Sequence, residues 1–155
     1  MIRLACDKDI DDILRLLVQV NMVHHIARPD IFNGPATKYT KEELLKLLKD
    51  PKRPIFVYDD NNHVIGYAFC IHQHHPNDNI LTDIKTLYID DLCVDENSRG
   101  KHIGHKLYDY VIDYAKKNGY YNVTLNVWNG NERALRFYES LGLTVQKIGM
   151  EKILK

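Results

Sequence analysis

Residues 92–104 read Leu-Cys-Val-Asp-Glu-Asn-Ser-Arg-Gly-Lys-His-Ile-Gly: an apolar run ending at Val94, a polar loop, and a Gly-bearing stretch that opens a helix. That layout aims a strand end and several free backbone N–H groups at one point. Free N–H groups at a helix N-terminus bind anions, phosphates above all. The chemistry indicated is the holding of a phosphate-bearing small molecule. The segment is not a nucleotide P-loop, because Gly100 and Gly104 are four residues apart and no Gly-Lys-Ser/Thr follows. Nor does the chain contain Gly-x-Gly-x-x-Gly, the dinucleotide fingerprint. A second set of chemical side chains is His72, His74 and His75. Alternate residues share a strand face, which suits a metal, but no Cys or acid completes a ligand set and no metal is assigned.

These groups need elements to hold them. Ile2–Ala5 reads as a short edge strand. Asp7 is placed to cap a helix whose apolar positions Ile10, Ile13, Leu14, Leu17 and Val20 share a face. Residues 21–39 read as irregular, with Pro29, Gly34 and Pro35 as breakers. Thr40-Lys41-Glu42-Glu43 forms a capping box ahead of a Leu-rich helix. Strands are expected at Ile55–Tyr58, Val64–Ile71 and Thr86–Val94, the last interrupted by Asp90-Asp91. A helix over Gly104–Lys117 ends at Gly119, and a strand over Val123–Trp128 follows. A helix over Asn131–Leu141 closes at Gly142, and Leu143–Ile148 is expected as a last strand. Neighbouring strands without a helix between them should pair antiparallel, and the strand–helix–strand unit from Thr86 to Trp128 should be a right-handed parallel crossover. The fold class is therefore mixed α/β, with a mostly antiparallel sheet flanked by helices.

A length of 155 residues suits one domain, 1–155. Lys+Arg and Asp+Glu both number 21, which gives no broad electrostatic drive toward nucleic acid or membrane. Cys6, Cys70 and Cys93 read as buried thiols of a reducing compartment. With no signal-peptide core and no apolar stretch of membrane-spanning length, a soluble cytoplasmic protein is expected.

Arg99, Ile103 and Gly104, following the strand Leu92-Cys93-Val94, resemble the acetyl-CoA-binding motif of the GNAT (Gcn5-related) N-acetyltransferase superfamily, Arg/Gln-x-x-Gly-x-Gly/Ala. Asn131-Glu132-Arg133-Ala134-Leu135-Arg136-Phe137-Tyr138-Glu139-Ser140-Leu141-Gly142-Leu143 resembles a second hallmark, Asn-x-x-Ala-x-x-Phe-Tyr-x-x-x-Gly-Phe. The order of elements is similar to the GNAT fold over almost the whole chain. One position departs: His102 stands where the family most often has Gly, a residue suited to close approach or a positive φ. If that position is helical, a His is accommodated there. The sharper alternative is that His102 or His105 touches a CoA phosphate.

The resemblance implies direct transfer of the acetyl group of acetyl-CoA to an amine, without a metal. It places Leu92, Cys93, Val94, Arg99, Gly100, Lys101, His102, Ile103, Gly104, His105, Asn131 and Tyr138 at the cofactor. Lys101 and Lys106, with Arg99, would neutralise phosphate charge. The amine must be neutral to attack, and for a lysine-like amine that costs roughly 4–5 kcal/mol at pH 7. Asp90 is the first candidate base and Asp91 the second. Strand neighbours face opposite sides, so only one should reach the cleft unless a bulge intervenes. Tyr138 matches the tyrosine that meets the departing sulfur, and a backbone N–H near Leu92–Val94 would stabilise the thioester oxygen. Residues 21–39 and 73–84 would form the acceptor pocket, with His24, His25, Arg28, Asp30, Phe32 and the His72–His75 group as lining, and Asp78 and Asp83 as attractors. A small-molecule amine is the expected acceptor. A peptide or protein amine, or a non-catalytic acyl-CoA-binding module, are the alternatives, and a homodimer is compatible with the fold.

Overall fold

The computed structural model describes residues 1–155. Five strands form one sheet in chain order: β1 (Ile2–Leu4), β2 (Ile55–Asp60), β3 (His63–His74), β4 (Lys85–Val94) and β5 (Asn122–Leu125). β1 to β4 pair antiparallel, and β5 joins β4 in parallel. The connection from β4 to β5 is α3 (Ile103–Lys117). α1 (Ile10–Ala27) and α2 (Lys41–Leu47) cover one face, where Ile13, Leu16, Leu17 and Leu44 pack on Val57, Tyr67 and Phe69. α3 and α4 (Glu132–Ser140) cover the other, where Tyr108 and Val111 pack on Phe56, Ala68, Leu87 and Ile89. Each fully buried Leu or Ile contributes about 1.5–3 kcal/mol over leaving it in water.

Two local features position the site. On β4, Asp91 lies opposite Phe69 and Ile89 opposite Cys70, so Asp90 is an extra residue, a β-bulge. The bulge resets the alternation. Asp90, Asp91 and Cys93 all meet the α1 side of the sheet: Asp90 contacts Lys38, Asp91 contacts Tyr67, and the Cys93 thiol donates to the Leu16 carbonyl. The second feature is Gly66 on β3. A Cβ there would lie 3.0 Å from the Leu107 side chain, 3.1 Å from the Cys93 carbonyl and 3.1 Å from the Ile103 side chain. The first turns of α3 therefore rest on bare backbone.

Several sequence expectations change. α1 does not stop at Val20 but runs to Ala27, so residues 21–27 are helical rather than irregular. It ends because Arg28 precedes Pro29 and adopts φ −139° instead of a helical value. Asp7 does not cap α1. It begins a short 3-10 turn, Asp7–Asp9, and the Asp9 carboxylate accepts the Cys6 N–H at 2.8 Å. Cys6 at that turn is exposed, unlike buried Cys70 and Cys93. β5 stops at Leu125, short of Trp128. The strand expected at Leu143–Ile148 is not formed, because that segment has no strand partner. The Thr40 capping box is present: the Thr40 hydroxyl accepts the Glu43 N–H at 3.1 Å, and the Glu43 carboxylate accepts the Thr40 N–H at 3.0 Å. No helix is long and apolar enough to cross a membrane.

Candidate active site

β4 and β5 pair only from Thr86 to Ile89 against Asn122 to Leu125. Beyond Ile89, the β5-facing edge of β4 has no strand partner, and its backbone polar groups face a cleft of about 610 Å³. β4 supplies Leu92, Cys93 and Val94 to the wall, and the loop supplies Arg99 and Gly100. The start of α3 supplies His102, Ile103, Gly104 and His105, while α4 and its cap supply Tyr138 and Asn131. Of the twelve residues expected at the cofactor, Lys101, which is exposed, is the one that stays off the wall. Lys106 also leaves it, placing its ammonium over the Tyr58 ring at 6.0 Å.

The cradle itself is a helix start. α3 begins at Ile103, and its first-turn N–H groups lack intrahelical acceptors. His102 is the residue before it and takes φ 59°, ψ 25°, the left-handed region. The conformation that favours glycine is thus retained although the residue is His; the position is not helical. His105 pairs with Asp109 at 3.3 Å one turn on. A Cβ at Gly104 would meet Phe137, Val94 and Leu92 at 3.5–3.8 Å, ordinary contact, so the fold leaves room there for a methyl and little else. Asn131 caps α4, its side-chain oxygen accepting the Ala134 N–H at 3.2 Å. α1 is tied to the head of the loop: Arg15 donates to Asp95 at 2.5 Å and to the Val64 carbonyl at 3.1 Å, and Gln19 accepts the Glu96 N–H at 3.2 Å.

The two acids have different partners. Asp90 accepts from Lys38 Nζ at 2.6 Å, and the pair raises the lysine pKa even though burial of the ammonium opposes it. Asp91 accepts from the Tyr67 hydroxyl at 2.7 Å. Protein atoms crowd Asp91 closely although part of its surface stays accessible, and this burial pushes its carboxyl up to about 6 against the pull of Tyr67 and Lys38. Tyr138 is half-buried on the cleft wall; burial first, then Asp91, pushes its phenol up to about 12. Burial also raises the Cys93 thiol to about 12, which leaves it protonated and without nucleophilic character at neutral pH.

Four other histidines are engaged elsewhere. His72 Nδ1 meets the Tyr120 hydroxyl at 2.7 Å, and His74 Nε2 meets Asp83. His24 stacks on Phe32 with ring centres 5.0 Å apart, His25 Nδ1 meets the Phe32 carbonyl, and Phe32 packs edge-on to Trp128. Arg28 is forked between Asp30 and Glu151. Sequence reasoning missed Gln19, Val20 and Val23 of α1, which line the cleft, and Arg133 and Phe137 of α4. It also missed Tyr67. The apolar spacing Leu16, Val20, Val23 carried a signal for the longer helix; nothing in the sequence marked Tyr67 as the partner of Asp91.

Two stability outcomes follow. A non-Gly residue in the left-handed region costs about 1–2 kcal/mol, part of which glycine returns as unfolded-chain entropy. His102→Gly should therefore raise stability by about 1 kcal/mol in urea unfolding. For Asp91, the folded pKa of about 6 lies above the ordinary 3.8, so the folded chain keeps a proton the unfolded chain loses in that window. Its contribution to stability is full below about pH 3.8 and is lost as pH rises to about 6. Asp91→Asn should then gain on wild type by about 2 kcal/mol between pH 4 and pH 7, a figure reduced for partial exposure. Unfolding curves at both pH values read it.

A family model described as the acetyltransferase (GNAT) family matches residues 20–143. The chain is 27% identical over 150 residues to an uncharacterized N-acetyltransferase of Methanocaldococcus jannaschii, covering 95% of this chain and 62% of that protein. It is 35% identical over 68 residues to glucosamine 6-phosphate N-acetyltransferase of Arabidopsis thaliana, covering 44% of each. The chain thus spans under two thirds of the length of the curated relatives it matches. A crystal structure of a mutant BH1408 protein from Bacillus halodurans superposes with a TM-score of 0.94 at 32% identity, covering 100% of this chain and 99% of that one. The parted strands, the cradle at the start of α3 and the matched residues agree: this chain belongs to the GNAT acetyltransferase family.

Proposed function

We propose that the chain is an N-acetyltransferase that moves the acetyl group of acetyl-CoA to the primary amine of a small molecule, within a ternary complex. The cleft suits the donor: it opens beside the part of β4 that β5 does not pair, and the N-terminus of α3 lines it together with Arg99 and Arg133. Gly104 keeps the cradle free of bulk beside it. When bound, acetyl-CoA supplies the activated acyl group. The pyrophosphate would be held by the N–H groups of Ile103 to His105, and the acyl end by the unpartnered edge at Leu92–Val94.

The chain's own residues then manage protons. Asp91, with a carboxyl raised toward neutrality, is the better base, since a pKa nearer that of the amine reduces the uphill transfer by about 1.4 kcal/mol per unit. Asp90 holds Lys38 and thereby the loop over the bulge. Tyr138 keeps its proton at physiological pH and offers it into the cleft as a hydrogen bond. Complete transfer from a phenol near 12 to a thiolate near 8.5 costs about 5 kcal/mol, so donation rather than protonation is its role.

The observation that carries the small-molecule reading is the closure of the acceptor side. The segment after α1 reaches across the site, with Phe32 against Trp128 at 5.4 Å and Lys38 on Asp90. A segment folded over that side favours a compact amine over an extended peptide. The partial match to a glucosamine 6-phosphate N-acetyltransferase points the same way.

The test is thiol release from acetyl-CoA with a panel of small amines and amine-bearing peptides. At least one small amine should exceed every peptide in kcat/KM by tenfold or more. Tyr138→Phe should lower kcat by about 10–100-fold with little change in the CoA Kd. Turnover on peptides alone would overturn the acceptor class, and CoA binding without turnover on any amine would favour a binding module.

A further inference from the structure

Besides the cleft beside β4, the molecule has a second cavity, of about 300 Å³, over the face of the sheet. Leu87 and Ile89 of β4 and Val123 and Leu125 of β5 pack toward α3. Strand neighbours alternate, so Thr86, Tyr88 and Thr124 turn to the opposite face, the one that carries α1. These three are half-buried, and no residue of α1 or α2 lines the cavity with them. The wall is completed by Gln73, by Asn126 and by the chain after α4 at Lys147. Leu125 is the one lining residue without a polar side chain. Polar groups gathered on a concave sheet face are the part of a small-molecule site that fixes orientation.

Their hydrogen bonds leave a defined pattern. Thr86 Oγ1 donates to Asn122 Oδ1 at 2.6 Å, which leaves it lone pairs to accept with. The Tyr88 hydroxyl accepts the Asn126 amide N–H at 3.1 Å, which leaves its own O–H to donate. Thr124 lies opposite Tyr88 and Gln73 opposite Thr86, and neither side chain is bonded within the chain. A hydroxyl both donates and accepts, so a ligand with several hydroxyls meets this pattern; an ammonium only donates, and a hydrocarbon does neither. Charge agrees with this. No carboxylate lines the cavity, and its one charged group is the Lys147 ammonium, which repels a ligand carrying several cations.

The cavity adjoins the acids of the bulge. Asp90 follows Tyr88 by two residues along β4, a rise of about 7 Å, and Asp90 and Asp91 meet the same α1 face. Lys38, at 2.6 Å from Asp90, is a primary ammonium already held at that end. We propose that this cavity holds the body of the acceptor, and that the acceptor is a primary amine on a polyhydroxylated ring, an amino sugar. Its amine reaches the acids of the bulge while its hydroxyls engage Thr86, Tyr88 and Thr124. The inference rests on the acetyl-transfer reading and gives that reading its acceptor class.

The test measures thiol release from acetyl-CoA with glucosamine, galactosamine and mannosamine, and with three amines that lack hydroxyls: cyclohexylamine, spermidine and a lysyl peptide. At least one hexosamine should exceed every hydroxyl-free amine in kcat/KM by about tenfold or more. The ratio of kcat/KM for that hexosamine to kcat/KM for the best hydroxyl-free amine is then followed in the double variant Thr86→Val, Tyr88→Phe. It should fall by about tenfold or more, through a higher KM for the hexosamine; differences in amine basicity and partial loss of fold cancel in the ratio. Calorimetry of the hexosamines with the CoA-saturated chain reads the cavity without turnover. Turnover with no hexosamine preference, or with a preference the double variant leaves unchanged, overturns the inference and leaves acetyl transfer standing. No turnover on any amine, with hexosamine binding that the double variant loses, overturns the acetyl-transfer reading and keeps the ligand class of the cavity. Neither turnover nor binding of any hexosamine overturns the inference.

Discussion

The site depends on one extra residue. Asp90 sits unpaired in β4, and the bulge it makes ends the regular ladder to β5 at Ile89. A strand that stayed in register would send alternate side chains to opposite faces and keep its outer edge bonded. Instead two consecutive acids meet the same face of the sheet, and the next three residues offer their free edge to a cleft. α4 then fills the far side of that opening, with Tyr138 and Phe137 on its wall. The opening in the sheet and the acids beside it thus have a single geometric origin.

Around this opening the chain holds groups in states that do not favour folding. His102 occupies a left-handed conformation at the start of α3, and Asp91 has a carboxyl whose charge is opposed by its surroundings. Both lie at the site, where local strain and shifted titration are expected to concentrate. The rest of the structure offsets them with ordinary burial: two apolar layers, one under α1 and α2 and one under α3 and α4. The ion pair of Arg15 with Asp95 holds the loop between β4 and α3 to α1 without adding strain of its own.

Much of this arrangement was legible in the sequence, and the limits have physical causes. The order of helices and strands and the capping box at Thr40 follow from local signals: periodicity, caps and glycine punctuation. The convergence of residues 92–105 with Asn131 and Tyr138 was legible only through the resemblance of both segments to the GNAT motifs. The reach of α1 to Ala27 did not, because Pro29 and Gly34 spread their influence over a whole stretch when only Arg28, directly before the proline, is forced out of helix. The bulge stayed an open alternative because a two-residue acidic interruption reads the same whether it bends a strand or inserts into it. The contact of Tyr67 with Asp91 spans 24 residues and is set by sheet register, which no local pattern encodes. The last strand was expected from composition, yet composition says nothing about where a strand's partner comes from.

α1 has a consequence of its own. Gln19, Val20 and Val23 line the cleft beside β4, and one turn beyond Val20 the residues His24 and His25 hold Phe32. Four residues of helix rise about 6 Å, a length no side-chain change can alter. Under the proposed function the helix is a ruler, with the two substrates at fixed marks along it. Sequence drift can reshape the acceptor space through the loop beyond Arg28, which is free to vary in length and side chain. It cannot lengthen or shorten the span between donor and acceptor without breaking the helix, so different acceptors would be accommodated at an unchanged reaction distance.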